Sequence, residues 1–177
     1  MKQAFGLLLL LFVANGAMAQ MDFRQETIAS FEIAQNKVIG LAEVLTDDQY
    51  AWRPAEGVRS VEEVIRHIAG TNYWMLTQMG CQPPAETGFT GDYSSVVAFE
   101  TAHGRPETET VLAASFVHLR ACTEAISDER LAQDMDLFGT PGSGQGYLML
   151  TSTHLHEHLG QLVAYARMNG VVPPWSN

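Results

Sequence analysis

The stretch Thr153-His154-Leu155-His156-Glu157-His158-Leu159-Gly160-Gln161-Leu162-Val163-Ala164-Tyr165-Ala166 decides how this sequence folds. Leu155, Leu159, Leu162 and Ala166 recur at intervals of three and four, and Leu148 extends the stripe, as an amphipathic helix with one buried face requires. His154 and His158 stand four apart on an adjoining stripe that continues through Gln161 and Tyr165. Both imidazoles therefore share one face at the border of the core, about one turn from each other. His156 lies two residues from each and points elsewhere. The pattern predicts a helix from about Gly146 to Asn169. The turn Gly139-Thr140-Pro141-Gly142-Ser143-Gly144 precedes it, and Gly170 with Pro173-Pro174 stops it.

Three further helices follow from the same reasoning. Phe31, Ala34, Val38, Leu41 and Leu45 make a stripe over about Asp22 to Leu45. Ser60 and Glu63 form a capping box, in which the Ser60 hydroxyl accepts from the Glu63 N–H and the Glu63 side chain returns the bond. The helix it opens, to about residue 79, turns Val61, Val64, Ile65, Ile68 and Leu76 inward, with His67 beside Val64 and Ile68. Leu112, Phe116, Leu119 and Ile126 mark another, from about Glu107 to Ile126. Pro54 and Gly57 make residues 50–57 an ordered connector. From Gly80 to Pro106 the text is loop-like, with a short helix around Ser94 to Thr101, and so long a connection often walls a site. No alternating run argues for a sheet. The expected fold is all-α, a four-helix bundle with a long connection between the second and third helices.

Residues 1–19 have the parts of a secretory signal peptide: Lys2, the apolar run Phe5 to Val13, and Ala17-Met18-Ala19 before Gln20. The run is about half the roughly 20 apolar residues that span a bilayer. The alternative is a short uncleaved anchor; cleavage predicts one exported domain, residues 20–177, periplasmic or secreted, with no stable membrane anchor. The formal net charge of -10 repels nucleic acid phosphates and anionic lipid, so nucleic acid is not an expected partner. Cys81 and Cys122 could pair in an oxidising compartment or pack separately as small apolar residues, since sequence sets no Cα separation.

Two histidines four apart on one helix are the spacing by which a helix offers two nitrogens to one ion. The alternative is a pair of hydrogen-bonded histidines at the core edge. His67, about one turn past the capping box, supplies a third candidate ligand. Three imidazoles leave a fourth position open on a tetrahedral ion, the arrangement of catalytic zinc. Glu157 falls on a different face by helix geometry and reads as a solvated charge. His103 and His118 read as surface or core-edge residues. No phosphate-binding glycine loop, nucleophile elbow or Cys-x-x-Cys pair is present.

Trp52-Arg53-Pro54, the segment Ser60 to Ala69 ending in His67-Ile68-Ala69, His154-x-x-x-His158-Leu159-Gly160-Gln161 and the closing Gly170-x-x-Pro173-Pro174 resemble the DinB-like four-helix metalloprotein family over nearly the whole mature chain. The resemblance implies a metal triad of His67, His154 and His158. Members more often have arginine where this chain has Leu159, so no role of that arginine carries over. It also implies either a transferase-type enzyme, in which the ion holds a low-molecular-weight thiol as thiolate, or activation of water for hydrolysis. Export favours water, because reduced thiol cofactors are mainly cytoplasmic. The expected cofactor is one divalent transition metal, zinc or nickel ahead of iron or manganese, with Gln161 and Tyr165 as candidates for orienting a ligand. The expected partner is a small-molecule substrate, with a homodimer left open. A bundle that holds metal without turnover, in a binding or structural role, is the alternative.

Overall fold

Four long helices form where the apolar stripes predict them: α1 Phe23–Val44, α3 Val61–Gln78, α5 Arg105–Ala125 and α7 Gly144–Met168. The computed structural model describes residues 22–102 and 104–176, so the expected signal peptide and His103 lie outside the described residues. Phe31, Ala34, Val38, Leu41 and Leu45 are all buried. Asp22 caps α1 by accepting from the Gln25 N–H at 2.9 Å. The capping box of α3 closes as expected, Glu63 N donating to Ser60 Oγ at 3.2 Å and Ser60 N to Glu63 Oε2 at 2.7 Å. No helix among the described residues is long and apolar enough to cross a membrane.

Around the bundle the neighbours run α1, α5, α3, α7 and back to α1, so helices joined directly in sequence by the shorter connections face each other diagonally. The α3–α7 seam is the loosest of the four. It is also the seam onto which His67, His154 and His158 project. Helix α3 is buried nearly all round because α5 and α7 flank it and a short helix, α4 (Ser94–Glu100), lies across its outer side. Gly70 permits that crossing. A Cβ there would stand 3.0 Å from Val96 Cγ1 and 3.3 Å from Phe89 Cε1.

The long connection is therefore an ordered cover, pinned from beneath by Arg66. The Arg66 side chain is 0% exposed, and its guanidinium lies 4.6 Å from the centroid of the Phe99 ring. It donates to the carbonyls of Phe99 and Gly104, both at 3.3 Å, with the Glu62 carboxylate 3.5 Å from Nε. Glu62 in turn accepts from Gly104 N and Thr108 Oγ1, each at 2.9 Å. With Glu62 facing its charge and two of its nitrogens donating to backbone carbonyls, the buried guanidinium ties the connection to α3, although Nε itself has no hydrogen-bond partner among the described residues.

Three local features depart from the sequence expectation. Residues 47–51 form a helical turn, α2 (Asp47–Ala51), because Thr46 and Gln49 make a second capping box just before the expected connector. Ser127 caps another short helix, α6 (Asp128–Ala132). The glycine-rich turn is part of an antiparallel hairpin, β1 (Asp134–Asp136) with β2 (Pro141–Ser143), Met135 opposite Gly142. Strands of three residues are too short to leave a readable alternation.

Cys81 and Cys122 are bonded to each other, with a Cα–Cα distance of 5.9 Å. Packing of α3 on α5 brings the sulfurs together and resolves a choice the sequence left open. The bridge ties the chain just past α3 to the last turn of α5. Because it spans 41 residues, chain entropy predicts that Cys81→Ser/Cys122→Ser lowers unfolding free energy by about 2–4 kcal/mol, read from urea melts. Coincident melts of variant and wild type under oxidising conditions would contradict this stabilising role.

Candidate metal centre

Helix α3 delivers His67 to the bundle interior, and α7 delivers His154 and His158 from successive turns of one stripe. Ligand-type atoms of the three lie within 4.8 Å of one another. His67 Nε2 stands 3.1 Å from His154 Nε2. Two nitrogens each about 2.0–2.1 Å from one ion are about 3–3.5 Å apart across a tetrahedral angle. The centroids of the His158 and His67 rings are 4.5 Å apart, and those of His158 and His154 4.6 Å apart, both edge-on. The structure thus brings together the three residues named from sequence.

Hydrogen bonds on the outer ring nitrogens decide which atoms face inward. Nδ1 of His67 donates to Glu100 Oε1 at 2.5 Å, and Nδ1 of His158 donates to Gln161 Oε1 at 2.9 Å. With its Nδ1 proton committed, each of these two rings in its neutral form carries its lone pair on Nε2. Gln161 is held by donating from Nε2 to the Tyr165 hydroxyl at 2.8 Å, and the Tyr165 ring packs edge-on against Trp52 at 5.4 Å. Gln161 and Tyr165 accordingly form the supporting chain behind His158. His156 is spent elsewhere, its Nδ1 donating to Ser152 O at 2.9 Å.

Glu100 was not singled out by the sequence. It is the last residue of α4, and its carboxylate also accepts from Arg59 Nε at 2.8 Å. The short helix was legible, but a single acid at its end has no periodic partner to mark it. Burial alone would push its carboxyl up; the hydrogen bonds and charges of His67 and Arg59 outweigh this and hold it below the usual carboxylate range. An ionised carboxylate behind an imidazole fixes its tautomer and raises its basicity.

The imidazoles on α7 are kept neutral. Burial, with His158 and His67 adding to it, pushes His154 down to about 3. Burial also lowers His158, against an opposing pull from Gln161. Neutral imidazole is the form that binds a metal ion. The donor set therefore fits a divalent transition ion, and three nitrogens leave one position open. His154 lines a cavity of about 540 Å³. Glu157 is exposed, as a solvated charge should be, but it does not lie on a different face: three residues from His154, it lines the same cavity. A second cluster, Cys81, His118 and Cys122, also has ligand-type atoms within 4.8 Å of one another. The bond between its sulfurs leaves only His118 there, lowered by burial.

Comparison with known proteins agrees with this architecture. A family model described as the DinB superfamily matches residues 30–162. An uncharacterised Bacillus subtilis protein, YjoA, is 27% identical over 150 residues, which cover 82% of this chain and 90% of the relative. The crystal structure of YjoA superimposes with a TM-score of 0.62 at 24% identity, covering 83% and 93% of the two chains. YfiT from Bacillus subtilis, described as a probable metal-dependent hydrolase with an unusual four-helix bundle topology, gives 0.63 at 16% identity, over 84% and 89%. A mycothiol-dependent maleylpyruvate isomerase gives 0.63 at 13% identity, over 81% of this chain and 63% of that one. At these identities the superpositions establish the fold.

The supporting hydrogen bonds yield a prediction. Glu100→Gln and Gln161→Ala should each weaken zinc affinity about 10–100-fold, measured by competition with a chromophoric chelator. Unchanged affinity in both would show that neither side chain supports a ligand.

Proposed function

The chain belongs to the DinB superfamily, and from that premise we propose that it is an exported metal-dependent hydrolase whose His67, His154 and His158 hold one divalent transition ion. Zinc or nickel heads the candidates, followed by iron or manganese. The observation that carries this reading is the convergence of three imidazoles, two of them buried with outward nitrogens already hydrogen-bonded and the third, His154, half-buried at the edge of a cavity. An ion held by neutral ligands keeps its full charge and, when bound, lowers the pKa of water or a thiol that reaches its open position. The chain's own contribution is positional. Glu100 and Gln161 aim two rings inward, α4 screens His67 from solvent, and the cavity leaves room for substrate beside His154.

Export is supported by the features of residues 1–19 and by the Cys81–Cys122 bridge, since disulfides persist outside the reducing cytoplasm. It favours water over a thiol cofactor. The fold likeness to a mycothiol-dependent isomerase supports thiol activation as the second reading. A purely structural ion would more often have four protein ligands.

Two tests follow. In protein purified without a His tag, His158→Ala should contain little metal, whereas His156→Ala should stay near stoichiometric by elemental analysis. Equal metal in the two would return the histidines to ordinary core-edge residues. With ester, lactone and amide panels, metal-loaded wild type should turn over without added thiol; an absolute thiol requirement would transfer the assignment to the second reading. Separately, mass spectrometry of the protein from its native host should find Gln20 at the N-terminus, and an intact Met1 in the cytoplasmic fraction would refute export.

A further inference from the structure

The cavity beside His154 has an aromatic mouth drawn from three separate parts of the chain. Trp74 comes from α3, Tyr93 from the residue before α4, and Phe138 from the tip of the hairpin. The Trp74 ring meets Tyr93 edge-on at 5.0 Å and lies 5.9 Å from Phe138 with the planes tilted 33°. Met75 and Leu150 continue the apolar lining, and Thr71, Thr153, His154 and Glu157 bring polar groups to it.

Phe138 is the residue that local structure does not explain. Leu137 and Thr140 exchange backbone hydrogen bonds at 2.7 and 3.4 Å, so Phe138 and Gly139 are the two central residues of a tight hairpin turn. Both have positive φ, 55° and 89°. A turn with positive φ at both centres favours Asn-Gly or Asp-Gly, because a large side chain in the left-handed region is strained. Gly139 obeys the rule and Phe138 breaks it. The ring gains little burial in return, since Phe138 is 64% exposed. A bulky aromatic held in a strained conformation and left in solvent at a cavity mouth points to a role in binding.

We propose that Phe138 and Trp74 clamp a neutral, ring-sized apolar body of the substrate, with Tyr93 closing the third side, and so present its reactive group to the centre at His154. The substrate class is a neutral aryl or branched-alkyl compound. The Glu157 carboxylate on the wall and the net charge of -10 act against an anionic body at this mouth. The orientation toward His154 rests on the metal-centre reading above; the clamp itself does not.

The test separates the two. Metal-free wild type should bind N-phenyl-1-naphthylamine, a neutral apolar dye, saturably, with the affinity falling at least about tenfold in Trp74→Ala and in Phe138→Asn. Phe138→Asn suits the turn, so its Tm should equal or exceed that of wild type while dye binding falls, which excludes misfolding as the cause. In zinc-loaded protein, benzohydroxamate should bind at least about tenfold more tightly than acetohydroxamate, and Phe138→Asn should bring the ratio toward one while leaving acetohydroxamate unchanged. Equal dye affinity in wild type and both variants, or an unaltered hydroxamate ratio in Phe138→Asn, overturns the clamp. If neither hydroxamate binds while dye affinity still depends on Phe138 and Trp74, the metal reading fails and the clamp stands.

Discussion

Three imidazoles that converge on one point are a constraint the surrounding structure has to satisfy. Two of the rings are held at their outer nitrogens, and His154 Nε2 lies within hydrogen-bonding distance of His67 Nε2. His67 is held by Glu100 and His158 by Gln161, and these two bonds account for much of the nearby architecture. Glu100 can reach His67 only because α4 lies close on α3, which requires Gly70, and α4 stays there because Arg66 grips the carbonyls around it. The long connection is thus ordered for the sake of one carboxylate. Burial then completes the arrangement by keeping His154 and His158 unprotonated.

The parts legible in the sequence are those governed by period and spacing. Helical stripes located α1, α3, α5 and α7 to within two residues at most ends, and the capping box marked the start of α3 at Ser60. The four-residue interval between His154 and His158 put both on one face before any fold was known. What stayed hidden arises from contacts between distant segments. Glu100 acquires its meaning only when α4 meets α3, and the Cys81–Cys122 bond only when α3 meets α5. Assigning Glu157 to a different face is an error, because residues three apart on a helix are neighbours and Glu157 therefore lines the cavity beside His154. Phe138 was invisible for a different reason: its oddity is a backbone angle.

Division of labour across the bundle is plain. The α1–α5 side is a conventional apolar core, and the loose α3–α7 seam carries the polar chemistry. Variation in the hairpin, in α4 and in the residues facing the cavity can change what is bound without disturbing the stripes that specify the helices. Relatives of one fold therefore need not share a substrate, and function must be argued from the site.

His67 and His154 are 87 residues apart in sequence. An unfolded chain consequently holds no preformed triad; its histidines meet only after α3 and α7 have docked, at the entropic expense of closing a long loop. Metal capture by the proposed site would therefore be coupled to completion of the fold, and the ion would be drawn from wherever folding finishes. Competition among metals would then be decided by the ions present in that compartment as well as by intrinsic affinities, which rise through the first-row series toward copper.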